Sequence, residues 1–148
     1  MKELRGAADT VVPAPLAQCL ALVEAVDGYP DWYPEVVRAV EVRERDARGL
    51  PSRAQTKLHI SVGPVTKDFD LLMAVTVEPP ATVRLAKVGG AAKFEVIWRL
   101  TEGEQTRIAL ELDANLDVPR FLPLGDVGNS VAQGFVSAAS DELARQAH

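Results

Sequence analysis

The chain has 148 residues, 47% of them hydrophobic and 25% charged, with a formal net charge of −5 and a sequence pI near 5.0. That length suits one domain with a real core, and the acidity argues against nucleic acid as a partner, because phosphate binding needs a basic footprint. The single cysteine, Cys19, excludes an intramolecular disulfide; no apolar run approaches the roughly 20 residues of a bilayer span, and the start Met1-Lys2-Glu3-Leu4-Arg5 lacks the apolar stretch of a secretory signal, so a cytoplasmic protein without stable membrane insertion is expected.

Residues 8–12 are rich in β-formers and read as a first strand that Pro13 and Pro15 end. Pro15 suits the first turn of a helix, where a missing N–H costs little. Leu16, Leu20, Val23 and Val26 then recur at helical spacing with Cys19 on the same face. Asp27-Gly28 stops that helix. In Tyr29-Pro30-Asp31-Trp32-Tyr33-Pro34, Asp31 is placed to cap a second short helix that runs on to Val37.

From Val40 the period changes to two. Val40 and Val42 alternate with charge before a turn at Ala47-Arg48-Gly49-Leu50-Pro51. Ala54, Thr56, Leu58, Ile60 and Val62 form the next inner face, closed by Gly63-Pro64. Phe69, Leu71, Met73, Val75 and Val77 follow; then Val83, Leu85 and Lys87; then Phe94, Val96, Trp98 and Leu100 beyond Gly89-Gly90; then Ile108, Leu110, Leu112 and Ala114. Six strands joined by short turns pair as an antiparallel meander with one apolar face. That face needs a cover, and a long final helix supplies it: Leu124, Val127, Val131, Phe135, Ala138 and Leu143 lie near one side. Gly125, Gly128 and Gly134 weaken its early turns and so imply close packing or room for a ligand. The reading is an α+β fold: seven curved antiparallel strands around a C-terminal helix, with two short helices after the first strand, in one domain.

This order, with Val26-Asp27-Gly28-Tyr29-Pro30-Asp31-Trp32-Tyr33-Pro34 after the first helix and Gly89-Gly90 leading to Phe94 and Trp98, resembles the START-like (helix-grip, SRPBCC) superfamily, and within it the polyketide cyclase and coenzyme Q-binding protein group. Where that group often has Gly-Pro-Phe, this chain has Gly89-Gly90-Ala91-Ala92. The resemblance implies a cavity between sheet and final helix for lipids, quinones or polyketides; some members are enzymes and others only carry ligands.

The residues offer little chemistry. With His59, His148 and Cys19 as the only histidines and cysteine, a nitrogen/sulfur metal site has no ligand set, and no cofactor motif appears. Cys19 falls on a buried stripe, where a thiol is usually inert, and His59 on the polar side of its strand. Inward polar candidates are Thr56, the Tyr33 phenol and Arg120. A pocket of roughly a few hundred Å³ is expected, lined by Leu58, Phe69, Leu71, Trp98, Leu110, Leu112, Leu124 and Val131. Trp32 and Tyr33 read either as a gate over the cavity mouth or as packing of the short helix, and Phe121 and Leu122, between Pro119 and Pro123, form a rigid apolar loop of the kind that can line an entrance. The expected function is binding or carriage of a small hydrophobic molecule. The alternatives are a metal-independent cyclase/dehydratase and, on the strength of six basic residues against three acidic between Arg38 and Lys57, an interaction protein docking on a macromolecular assembly.

Overall fold

The computed structural model describes residues 2–62, 64–119 and 121–147. In chain order it comprises β1 (Lys2–Val12), α1 (Leu16–Glu24), a 3-10 turn (Val26–Gly28), α2 (Tyr29–Trp32), β2 (Val37–Arg45), β3 (Pro51–Val62), β4 (Val65–Glu78), β5 (Thr82–Lys87), β6 (Phe94–Thr101), β7 (Thr106–Leu116) and α3 (Val127–Gln146). Among the described residues the seven strands form one antiparallel sheet in the order β1-β7-β6-β5-β4-β3-β2. The first strand thus pairs with the last, and β1 and β2 are left as edges.

The alternation read from the sequence sets which face is buried. Ala54, Thr56, Leu58, Ile60 and Val62 of β3 are all buried, as are Ile108, Leu110, Leu112 and Ala114 of β7. Burying a large aliphatic side chain from water stabilises by roughly 1.5–3 kcal/mol, so the fully covered Leu4, Ile60, Ile108, Leu110 and Leu116 fix the register of their strands: a slip of one residue would turn each of them outward. Gly89 and Gly90, at φ 72° and 76°, carry the chain from β5 to β6 in a backbone conformation that favours glycine.

Three boundaries differ from the sequence reading. β1 begins at Lys2 rather than near Ala8, because Leu4 is buried as fully as Val12 and residues 2–12 pair without interruption with β7. α2 is a single turn that stops at Trp32 and does not reach Val37. The residue before a proline is disfavoured in helical geometry, and Tyr33, preceding Pro34, sits at φ −137°, ψ 58°. Asp31 lies inside that turn, with Gly28 at the N-cap position. α3 begins at Val127, not at Leu124, after a bend at Gly125 of φ 29°. The turn at Gly63 lies outside the described residues.

The helix does not lie centrally. α3 makes most of its contacts with β1 and then with β7. Its glycines make that approach possible: a β-carbon on Gly128 would stand 2.0 Å from the Arg5 carbonyl oxygen, and one on Gly6 would stand 2.1 Å from the Gly128 carbonyl carbon. The side-chain oxygen of Asn129 accepts a hydrogen bond from the Ala7 amide at 3.1 Å, which gives the edge strand a partner. The glycines therefore serve close packing.

Candidate functional site

Because α3 covers the β1–β7 end of the sheet, the inner faces of the remaining strands close over a void. A cavity of about 30 Å³ lies between Val131 and Phe135 of α3, Tyr29 of α2, and inward side chains of β2 to β6, among them Val37, Ala54, Thr56, Leu58, Met73, Leu85, Phe94 and Val96. It is far smaller than the pocket expected from the sequence. Four aromatic rings explain the difference. Phe135 packs edge-on against Tyr33 (4.5 Å between ring centroids), Tyr29 (6.1 Å) and Trp98 (6.1 Å), and this cluster fills the space under the middle of the helix.

The wall is apolar. The Thr56 hydroxyl donates to the Leu71 carbonyl at 2.9 Å and the Tyr29 hydroxyl to the Val23 carbonyl at 2.5 Å, so both polar groups on the wall are already spent on backbone. Burial pushes the Tyr29 phenol well above its ordinary value. Nothing on this wall offers an ionised group for proton transfer.

A surface cleft of about 420 Å³ borders the cavity. It runs between the α2–β2 connection, residues 59 and 61 of β3, and the start of α3, and it shares Val36 and Val131 with the cavity. These two side chains are the partition between cavity and solvent. Beside them the Tyr33 hydroxyl donates to the Val131 carbonyl at 3.3 Å, and burial, reinforced by the Glu35 carboxylate, pushes the Tyr33 phenol up to about 12. On the outer rim His59 Nδ1 lies 2.6 Å from an Asp68 carboxylate oxygen.

The residues singled out from the sequence separate into groups. Thr56, Leu58 and Val131 line the cavity. Tyr33 and Leu124 line the cleft. Trp98, Leu110 and Leu112 are fully buried in the packed part of the core, under α3, and Phe69 and Leu71 are half-buried in β4, Phe69 lining a surface groove beside Leu58 and His59. Trp32 borders a different cleft, between α1 and the C-terminal part of α3. Phe121 is 82% exposed and turned away from the interior, while Leu122 is buried. Arg120 and His148 lie outside the described residues. The indole N–H groups of Trp32 and Trp98 are buried without a hydrogen-bond partner among the described residues. Cys19 is buried on α1, and burial raises its thiol pKa.

Sequence reasoning places Ala54, Met73, Val75, Leu85, Phe94 and Val96 on the inner face but not around a void; the position of α3 decides that. It places Phe135 on the covering side of the final helix and Tyr29 in the motif after the first helix but assigns neither to the cavity, and it does not single out Val36 or the cleft residues Glu35, Asp126 and Ser130. The basic hairpin is largely neutralised: Arg43 pairs with Glu41 at 3.1 Å, Arg45 with Asp27 at 3.7 Å, Arg48 with Glu24 at 3.4 Å and Arg53 with Glu44 at 3.7 Å. Among the described residues no group of three His, Cys, Asp or Glu side chains is placed to hold a metal ion, and no helix is long and apolar enough to cross a membrane.

A curved seven-stranded sheet gripping a C-terminal helix over an apolar cavity is the START-like, helix-grip architecture. The chain belongs to the family described as polyketide cyclase / dehydrase and lipid transport, whose sequence model matches residues 12–144. Similar solved structures include a START superfamily protein from Mycobacterium smegmatis (TM-score 0.76, 15% identity, covering 97% of this chain and 99% of that one). A protein from Thermus thermophilus is similar too (TM-score 0.70, 21% identity, 99% and 100%), as is the Zhui aromatase/cyclase of Streptomyces sp. R1128 (TM-score 0.66, 17% identity, 99% and 97%). At such identities the likeness carries the fold alone. No curated protein matches the chain.

Proposed function

We propose that this protein binds or carries a small hydrophobic molecule between the sheet and α3. The observation that supports this reading is the apolar cavity whose polar wall groups are already satisfied, set behind a cleft from which Val36 and Val131 divide it. Such a wall gains free energy from apolar surface and supplies no reactive group. A ligand of useful size needs more than about 30 Å³, so binding moves Val36 and Val131 apart and joins the cavity to the cleft. The family description, which names lipid transport beside polyketide cyclase and dehydrase, and the aromatase/cyclase among the structural neighbours favour a lipid or polyketide within the class of small hydrophobic molecules, beside the isoprenoid quinone that the sequence resemblance implies.

The alternative is a metal-independent cyclase or dehydratase. One observation favours it: the His59–Asp68 pair at 2.6 Å stands on the cleft rim, and a carboxylate on Nδ1 leaves Nε2 to exchange a proton. Native mass spectrometry of protein purified without added ligand tests the first reading. An apolar mass that co-purifies, and returns unchanged after incubation with the protein, supports a carrier. Conversion of that molecule by the protein, lost in His59→Ala, supports the enzyme.

A further inference from the structure

Apart from Tyr29 and Thr56, whose hydroxyls are spent on backbone carbonyls, the polar side chains near the cavity do not line it. They gather at the cleft: Tyr33, Glu35, His59, Ser61, Asp126 and Ser130 all line it, beside the apolar partition of Val36 and Val131. A molecule whose apolar part enters past that partition leaves its polar end among these groups. We propose that the site takes an amphipathic molecule whose polar end is uncharged or cationic, and that it discriminates against carboxylates and phosphates. The proposal rests on the reading of the cavity as a ligand site.

The charge count at the cleft carries the argument. Among the described residues no lysine or arginine lines it, while Glu35 and Asp126 both do. The imidazole of His59 lies 2.6 Å from the Asp68 carboxylate, an acidic neighbour on the outer side of the cleft. The start of α3 acts against the carboxylates, since a helix N-terminus is equivalent to about +0.5 of a charge. Two carboxylates outweigh that half charge, and Asp126 sits at the N-cap position itself. Lys2 and Lys67 keep their charge but stand outside the cleft lining, their ammonium groups held on the Leu122 and Asp117 carbonyls. Beyond His59, Arg38 and Lys57 border the next groove together with Asp68 and Asp70, so the charges there cancel. Among the described residues that line the cleft, an anionic head therefore meets a net negative charge. A hydroxyl or carbonyl head meets instead the hydroxyls of Tyr33, Ser61 and Ser130, and an ammonium head meets two carboxylates.

Three probes with one tail separate the possibilities: 1-dodecanol, dodecylammonium and dodecanoate, each titrated below its micellar concentration by displacement of the neutral dye Nile red at neutral pH and low salt. The expected order places dodecylammonium at or above dodecanol, with dodecanoate weaker than dodecanol by about fivefold, as exposed charges at short range allow. The gap should shrink in about 0.5 M NaCl, where screening is strong. It should fall to within about twofold in Glu35→Gln/Asp126→Asn, whose amides remove both charges at nearly unchanged size; Asp126 makes no side-chain capping hydrogen bond to lose. Dodecanoate binding as tightly as dodecanol, or a gap that neither salt nor the double variant changes, overturns the charge preference and leaves the carrier reading standing. Failure of all three probes and of the dye to bind overturns both.

Discussion

Tyr33 lies so close over Gly134 that a β-carbon added to the glycine would stand 2.1 Å from the phenolic oxygen and 2.9 Å from Cζ. The aromatic ring is rigid and its tip faces the helix backbone, so one partner must move. Gly134→Ala gains about 1 kcal/mol of helix propensity but overpacks a fixed ring, which typically costs about 1–3 kcal/mol. We expect a net loss of up to about 2 kcal/mol by denaturant unfolding. In a Tyr33→Ala background the same substitution should become favourable. Equal effects in the two backgrounds would show that the ring does not set the height of α3.

The contact between Gly128 and the Arg5 carbonyl, 2.0 Å for an added β-carbon, leaves less room to adjust, because both sides are backbone. Gly128→Ala and Gly6→Ala should each destabilise by about 2–3 kcal/mol, or roughly 4–12 °C in a domain of this size. The double variant should lose clearly less than the sum, since both changes open the same contact. Additive losses would place the two glycines in separate contacts.

Ala54 lines the cavity and pairs with Met73 across the sheet. Ala54→Val adds bulk to a void of about 30 Å³ and a β-branched side chain to a strand. Stability should rise by about 0.5–1 kcal/mol, in the range of cavity-filling changes. Binding of an apolar probe should fall at least about tenfold, because the same space is lost to the ligand. Destabilisation with binding intact would move the site away from β3.

Alkaline pH should weaken the fold. The Tyr33 phenol is raised from its ordinary 10.0 to about 12, by burial first and by Glu35 second, and burial raises Tyr29 as well. A raised folded-state pKa means that the native state holds the proton more tightly than the unfolded chain. The resulting stability is present in full below pH 10 and is lost as pH climbs through about 12. Melting temperature should therefore fall across that window, and fall less steeply in Tyr33→Phe. An identical slope in the variant would show that the ring is not the titrating group.

Much of this is legible in the residues. Strand alternation tells inner from outer at Thr56 and Leu58 against Lys57 and His59, because a two-residue period needs no long-range information. Periodicity and turn residues also give the order of strands and helices, and the family resemblance adds the cavity between sheet and final helix. The size of the cavity and most of its lining are not legible, since they depend on where one helix crosses the sheet. Gly6 and Gly128 seat α3 over β1, which buries Trp98, Leu110 and Leu112 in packed core and leaves the void by Met73 and Phe94. The periodicity of α3 shows which face turns inward, but not which strands that face meets. Phe121 departs from expectation for a related reason: an aromatic between prolines reads alike whether it faces in or, as here, out to solvent.

Met73, one of two methionines in the chain, sits on the cavity wall, so its methyl group reports on the proposed site directly. Protein carrying isotope-labelled methionine methyl groups can be titrated with 1-dodecanol, with the Met73 signal assigned through Met73→Leu. The account predicts a saturable shift of that signal, with the same midpoint as dodecanol binding measured by calorimetry. Dodecanol that binds by calorimetry while the Met73 methyl signal stays in place would contradict it.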